Sequence, residues 1–343
     1  PEESLAQWVK VLREQEQCDF VIIVAHIGLS QQINLANLPE CEGVDYIFGG
    51  DTHERVREPI VCKYAKVVEP GAFGSFVGRL DLKVKDGKIV GEHYELLEVD
   101  AKKHKPKPAV QQLIDNLEAP FATDINKIHG YSTVPLYRYF VIENTIDTMI
   151  LDALDWRIDT DIVLSNGFRF CPPRNVGPDG LAPITEGYIF DMLPVDSYIR
   201  TAKVTGQQLS DWLEKELNNV FAKDASKRFG GWVVKFKGME IEFLAFGEPG
   251  KRVKKVTIGN QPLDLQRTYT VCACERDGDP DTMLCRIPNV KEGKNTPYTL
   301  HQTMRDYLSA HSPVTPTPRG YAKALDAPAT LLTQVTGVPY TFR

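Results

Sequence analysis

Apolar and polar positions along the chain change period several times, and each change marks an element. "DFVIIVAH" (19–26) is a continuous apolar run of the kind that forms a parallel strand buried on both faces, and "VDYIFGGDTH" (44–53) repeats it. From residue 63 to 99, "KYAKVVEPGAFGSFVGRLDLKVKDGKIVGEHYELLEV" alternates with period two, and "KDGK" reads as the turn of a hairpin. Ahead of these, "EESLAQWVKVLREQEQ" sets Leu5, Trp8, Val9 and Leu12 on one face of a helix. Parallel-type strands joined by a helix and followed by antiparallel strands predict part of a layered α/β domain over residues 1–105.

"DAKKHKPKPAV" breaks both periods with Lys, His and two prolines, and marks a boundary. Helical spacing resumes in "PAVQQLIDNLEAPFATDINKI", with Val110, Leu113, Ile114 and Leu117 on one stripe, so that residues 106–129 read as a linker helix. A second α/β unit is expected over 130–311, with helices at "NTIDTMILDALDWR", "TGQQLSDWLEKELNNVF" and "TLHQTMRDYLSAH". The Pro- and Thr-rich stretch 312–343 is expected to lie over the surface in extended form. The predicted class is therefore mixed α/β in two domains.

Composition changes this picture little. Apolar residues make up 42% and charged residues 25% of the 343, which suits a globular protein with two cores. A net charge of −6 gives no general attraction to nucleic acid or to an anionic membrane, and the apolar runs are far shorter than the roughly 18 residues that span a bilayer. No nucleic-acid or membrane partner is expected. The chain starts at Pro1 and enters a helix almost at once, which suggests a piece of something longer. The cysteines are odd in number, seven, and scattered, which argues against a disulfide framework. Cys272, Cys274 and Cys285 have the chemistry of zinc ligands, but Cys-x-Cys in "YTVCACE" puts two thiols on one face of a strand, where they read as small core residues.

Candidate chemistry gathers where strands end. His26 closes the first strand and Gly28 follows it; "GGDTHER" closes the next, with Asp51 and His53 in one short loop. Open α/β sheets place their sites at the carboxyl ends of such strands, and imidazole with carboxylate suits Mn, Zn or Fe in a hydrolytic centre. A lone His26 reads as a structural histidine; two strand ends with Asp51 between favour metal. In the second unit "TDIVLSNGFR" ends in Ser165, Asn166, Gly167, Phe168 and Arg169, an amide and a guanidinium on a tight turn that suit a phosphate or similar oxyanion. Arg157, at the end of "LDALDWR", is a second candidate for that pocket. The plainer alternative pairs Arg169 with Asp191 or Asp196. "CERDGDPD", with Glu275, Arg276, Asp277 and Asp279, is either the rim of the cleft or a solvated turn.

"NTIDTMILDALDWRIDTDIVLSNGFR", "ITEGYIFDMLPVDS" and "VTGQQLSDWLE" together resemble the carboxyl-terminal domain of the bacterial 5′-nucleotidase family, and "VAHIG" and "GGDTHER" resemble the last two metal motifs of the calcineurin-like metallophosphoesterase domain that precedes it. Sulfur-oxidising thiosulfohydrolases share this plan. The resemblance implies an incomplete metallophosphoesterase β-sandwich with flanking helices, a linker helix and a 5′-nucleotidase-type α/β domain. It further implies a hydrolase acting on a phosphate monoester or nucleotide at two divalent ions, Mn, Zn or Fe, about 3.5 Å apart in a cleft between hinged domains. His26, Asp51 and His53 would be ligands; Asn166, Gly167, Phe168, Arg169 and Arg157 would hold substrate. Relatives of this kind are mostly periplasmic or extracellular.

Three departures bear on that expectation. The family's earlier motifs, which supply the remaining ligands and the catalytic acid, are absent from these 343 residues, so the partner required is an amino-terminal segment of the same protein, and the fragment alone is expected to be inactive. Asp51 stands where the family has His, which favours a harder ion such as Mn. The family's Pro-Phe pair is here Pro194 with Val195, so the sandwich that stacks a base is lost unless Phe168 or Tyr198 replaces it. Two alternatives follow: a thiosulfohydrolase-like enzyme acting on a sulfur-carrier protein, or a non-catalytic relic that retains only an anion pocket.

Overall fold

The computed structural model describes residues 2–166, 171–228, 230, 232–274, 276 and 278–335. The chain divides into two units: Pro1–Ile114 with Ala222–Gly231, and Asp115–Phe221 with Trp232–Arg343.

In the first unit, helix α1 (Glu2–Lys10) leads to strand β1 (Ile22–Val24), helix α2 (Leu29–Leu35), and strands β2 (Tyr46–Phe48), β3 (Ile60–Val61) and β4 (Lys66–Val68). They form one sheet in the order β1-β2-β4-β3, with β1, β2 and β4 parallel. Val9, Val21, Ala36, Cys41, Val44, Ile47 and Val67 make its small core. The expectation that "DFVIIVAH" is buried on both faces fails at its end: β1 is the edge strand, and Val24 is 84% exposed. The central strands β2 and β4 have the burial that their composition predicts.

The alternating stretch forms the expected hairpin, β5 (Phe76–Lys85) and β6 (Lys88–Glu98). Its two-residue turn, Asp86 and Gly87, has φ of +49° and +69°, the left-handed pair that a tight hairpin requires. Glu92 ties the hairpin to the sheet, accepting from the Tyr46 hydroxyl and pairing with Lys66. Helix α3 (Pro108–Glu118) follows, and its stripe of Val110, Leu113, Ile114 and Leu117 is exposed. The segment Ala222–Gly231 belongs to this first unit, where Arg228 reaches Ser30 (3.4 Å) and its carbonyl accepts from Gln31 (3.5 Å).

The second unit runs through α4 (Ala122–Ile125), β7 (Ile128–Ser132), α5 (Thr145–Arg157), β8 (Ile162–Ser165), β9 (Ala182–Thr185), α6 (Glu186–Met192), β10 (Tyr198–Thr205) and α7 (Gly206–Phe221). Then come β11 (Lys235–Lys237), β12 (Met239–Phe243), β13 (Val253–Ile258), β14 (Gln261–Pro262), β15 (Thr268–Cys274), β16 (Met283–Leu284), β17 (Ile287–Pro288), β18 (Lys291–Thr299), α8 (Leu300–His311), β19 (Ala322–Ala324) and α9 (Ala329–Leu332). Its main sheet has the order β11-β8-β15-β10-β18, with β8 and β15 parallel.

Alternation along these strands sorts residues to two faces. Ile162, Leu164, Val271 and Ala273 pack with Leu209, Trp212, Leu213 and Leu217 of α7; Val163 and Cys272 pack with Ile146, Met149, Ile150 and Leu154 of α5 and Met304 and Leu308 of α8. The result is a helix–sheet–helix sandwich whose central strands are covered on both sides, as the apolar run "DIVLS" requires. Helix α5 begins where the sequence predicts: the Asn144 side chain accepts from the Asp147 N–H at 2.8 Å.

The carboxyl-terminal stretch departs from its expected role as a surface tail. β19 joins β12 in parallel, and Val314 and Leu332 are buried. Val314, Ala322 and Leu332 find core positions despite the Pro-rich composition, while Leu325 and Leu331 stay exposed. Cys272 lies in the core with its thiol pushed up to about 12 by burial, which matches the small-hydrophobe role.

Candidate functional site

Because β1 and β2 are parallel and in register (Val24 beside Phe48), the loops that follow them leave the sheet at one end. The first carries His26 and the second Asp51 and His53, and the structure brings two of the three together: His26 Nε2 lies 3.4 Å from Asp51 Oδ1. The His26 side chain is 90% exposed, so both groups are open to solvent. His53 shares the Asp51 loop, in the left-handed conformation (φ +61°), with its ring edge-on to Phe73 at 5.8 Å. Among the described residues no group of three or more His, Cys, Asp or Glu side chains forms a metal cluster. An imidazole nitrogen and a carboxylate oxygen at this spacing, both accessible, fit a divalent ion as two of its ligands; they do not close a site by themselves.

The support beneath this pair escaped sequence reading. Glu69, just after β4, is fully buried and accepts from the Thr52 hydroxyl (3.0 Å), the Glu54 N–H (2.9 Å) and the Gln32 amide (3.2 Å). The first glycine of "GGDTHER" has a steric cause: a Cβ on Gly49 would lie 2.1 Å from Gln32 Nε2.

In the second unit a cavity of about 250 Å³ opens at the carboxyl ends of the parallel strands β8 and β15. Ser165, Asn166, Cys274 and Arg276 line it from the strand ends, Ile150 and Leu154 from α5, and Met192 from the end of α6 with Leu193, Pro194, Val195 and Ser197 from the loop after it. Asn166 therefore stands at the cavity, its carbonyl accepting from Trp232 Nε1 at 3.0 Å. Gly167, Phe168 and Arg169 lie outside the described residues, as do Glu275 and Asp277. Arg276 gives "CERDGDPD" a place on the rim.

Arg157 is held elsewhere among the described residues. It pairs with Asp306 and is sandwiched by Trp156 (4.6 Å) and Tyr298 (4.7 Å), and it is not part of the cavity lining. Asp196 accepts from the His301 N–H (2.9 Å) and the Thr299 hydroxyl (3.1 Å), which fixes the cavity wall next to Val195.

Arg138 was missed by sequence reading and lies at the cavity floor. It is 2% exposed, bonds Asp147 Oδ1 at 3.1 Å and donates to the Met192 carbonyl. Asp147 also accepts from Asn144 (2.7 Å) and Ser165 (2.8 Å). Burial opposes its charge, but Arg138, Lys235 and those hydrogen bonds outweigh it and hold the carboxyl below the usual carboxylate range. The signal was faint: "YRYFVIENT" places arginine close before a helix start, with nothing to show that it turns inward.

Comparison with known proteins bears on both units. Residues 127–275 match the model of the 5′-nucleotidase, C-terminal domain. The chain is similar to the trifunctional nucleotide phosphoesterase protein YfkN of Bacillus subtilis, 26% identical over 275 residues, covering 75% of this chain and 18% of that protein. It is also similar to the 5′-nucleotidase of Vibrio cholerae, 22% identical over 370 residues, covering 92% of this chain and 62% of that one. The chain thus spans less than two thirds of the length of these relatives. Among solved structures, the sulfate thiohydrolase SoxB of Thermus thermophilus superposes with a TM-score of 0.84 at 23% identity, over 97% of this chain and 59% of that one. A 5′-nucleotidase precursor from the same species gives 0.76 at 20% identity, over 96% and 68%. Residues 127–275, less than half of the chain, thus match a 5′-nucleotidase-type carboxyl-terminal domain, and the chain shares the mixed α/β fold of these solved structures.

Proposed function

We propose that this chain is part of a metal-dependent hydrolase of the 5′-nucleotidase type that cleaves phosphate monoesters. The observation that carries it is the convergence of His26 and Asp51 at the ends of two parallel strands, in a chain whose second unit matches the 5′-nucleotidase carboxyl-terminal domain. His26 and Asp51, with His53 from the same loop, would hold a divalent ion, and the function requires further ligands beyond these three. Such ions supply Lewis acidity and a water of lowered pKa.

What the chain's own groups contribute is binding and orientation. The Asn166 amide and the Arg276 guanidinium offer donors to an oxyanion at the cavity. The aliphatic wall of Leu154, Leu193 and Val195 excludes water and takes an apolar part of the substrate.

A thiosulfonate substrate in place of a phosphate ester is the second reading, favoured by the fold likeness to SoxB and by Val195 on the cavity wall. Hydrolysis by the natural full-length protein with Mn²⁺ tests both. Release of phosphate from nucleoside monophosphates, reduced to background by His26→Ala, is the expected result; release of sulfate from S-sulfocysteine conjugates alone would select the second reading. Cleavage of neither class overturns the proposal.

A further inference from the structure

The two loops that present His26 and Asp51 are tied together from below. The Glu69 carboxylate, with no surface exposed to solvent, accepts from the Thr52 hydroxyl, and Thr52 is the residue after Asp51. Its other oxygen accepts from Gln32 Nε2, and that same nitrogen donates to the carbonyl of Ile27 at 2.8 Å, the residue after His26. Thr52 Oγ1 closes the circuit by accepting from the Leu29 N–H at 3.2 Å. Glu54 N–H, one residue beyond His53, also reaches the carboxylate.

Shape and chemistry both select a carboxylate here. Every group that meets Glu69 presents an N–H or O–H, so an acceptor-only side chain satisfies all of them, whereas an amide would turn an N–H₂ toward another donor. Taking a carboxylate out of water is costly, and a loop needing only closure is closed more cheaply by neutral groups. A negative charge behind a cation site offsets that cost through Coulomb attraction in a poorly screened interior. Gly49 leaves the room: any side chain there would overlap Gln32.

We propose that Glu69 is a positioning residue which, through Thr52 and Gln32, sets the spacing of His26 and Asp51 for a divalent cation. It rests on the metal binding proposed above. Partners of this kind typically contribute about 10–100-fold to metal affinity.

The test is titration of the protein with Mn²⁺, followed by paramagnetic broadening of its imidazole proton resonances, with thermal melting as a control for folding. Glu69→Gln and Thr52→Val should each raise the Mn²⁺ midpoint for the His26 signal by about tenfold or more. Thr52→Ser, which restores the hydroxyl, should return it to the wild-type value, a rescue that general loss of packing would not give. If Glu69→Gln fails to fold, the Thr52 pair alone decides. A midpoint unchanged in both Glu69→Gln and Thr52→Val overturns this inference while metal binding stands. A His26 signal untouched by Mn²⁺ in the wild-type protein overturns both.

Discussion

Each unit sets a loop with a buried carboxylate, and the two are compensated differently. Asp147, in the second unit, faces the guanidinium of Arg138, and that arginine holds the cavity loop through the Met192 carbonyl. Glu69, in the first, is met by a hydroxyl, an amide and a backbone N–H. A paired charge fixes its surroundings before any ligand arrives, because the cost of burial is already offset by the counter-ion. A carboxylate met by neutral dipoles gains further from a cation nearby. The contrast is between a carboxylate neutralised by a counter-ion and one met only by neutral donors.

The strongest way to break this contrast is Asp147→Leu, which leaves Arg138 buried without its partner. About 3–5 kcal/mol of stability should be lost, measured by urea unfolding, and Asp147→Leu with Arg138→Met should recover part of it. The pH dependence has a defined sign. The folded carboxyl titrates below its ordinary value of 3.8, so its contribution is complete above 3.8 and disappears as pH falls through the lower folded value. The stability gap between wild type and Asp147→Asn should therefore stay constant from neutrality down to about 3.8 and shrink between there and the lower folded value.

A smaller effect is expected at Asn144, which caps α5 and also donates to Asp147. Asn144→Ala should cost about 1 kcal/mol in the same unfolding assay. A loss as large as that of Asp147→Leu would mean that the amide, not the guanidinium, carries the pair. Smallest of all, Arg157→Ala removes a part-exposed ion pair and its contacts with Trp156 and Tyr298, together worth about 0.5–1 kcal/mol. Its geometry predicts unchanged affinity for inorganic phosphate by calorimetry; a loss of tenfold or more would bring Arg157 into the binding site after all.

Local rules made much of the fold readable. The Asp86–Gly87 turn, the helix beginning at Asn144 and the apolar strand ending at Ser165 follow from backbone preference and period alone. Strand ends also pointed to His26, Asp51 and Asn166, because loops there face solvent whatever the rest of the chain does. What stayed hidden depends on distant neighbours. Val24 looks like a core residue until β1 proves to be an edge, and Glu69 and Arg138 look like surface charges until their partners, 17 and 9 residues away, turn them inward. No periodicity reports such pairings, since a buried charge is chosen by what meets it.

The chain crosses between the units three times, at 114, 221 and 231. A single cut at 114 or 221 therefore separates Arg228 from α2, and one at 231 leaves residues 115–221 of the second unit attached to the first. An isolated carboxyl-terminal fragment would best be built with that excursion replaced by a short polar linker.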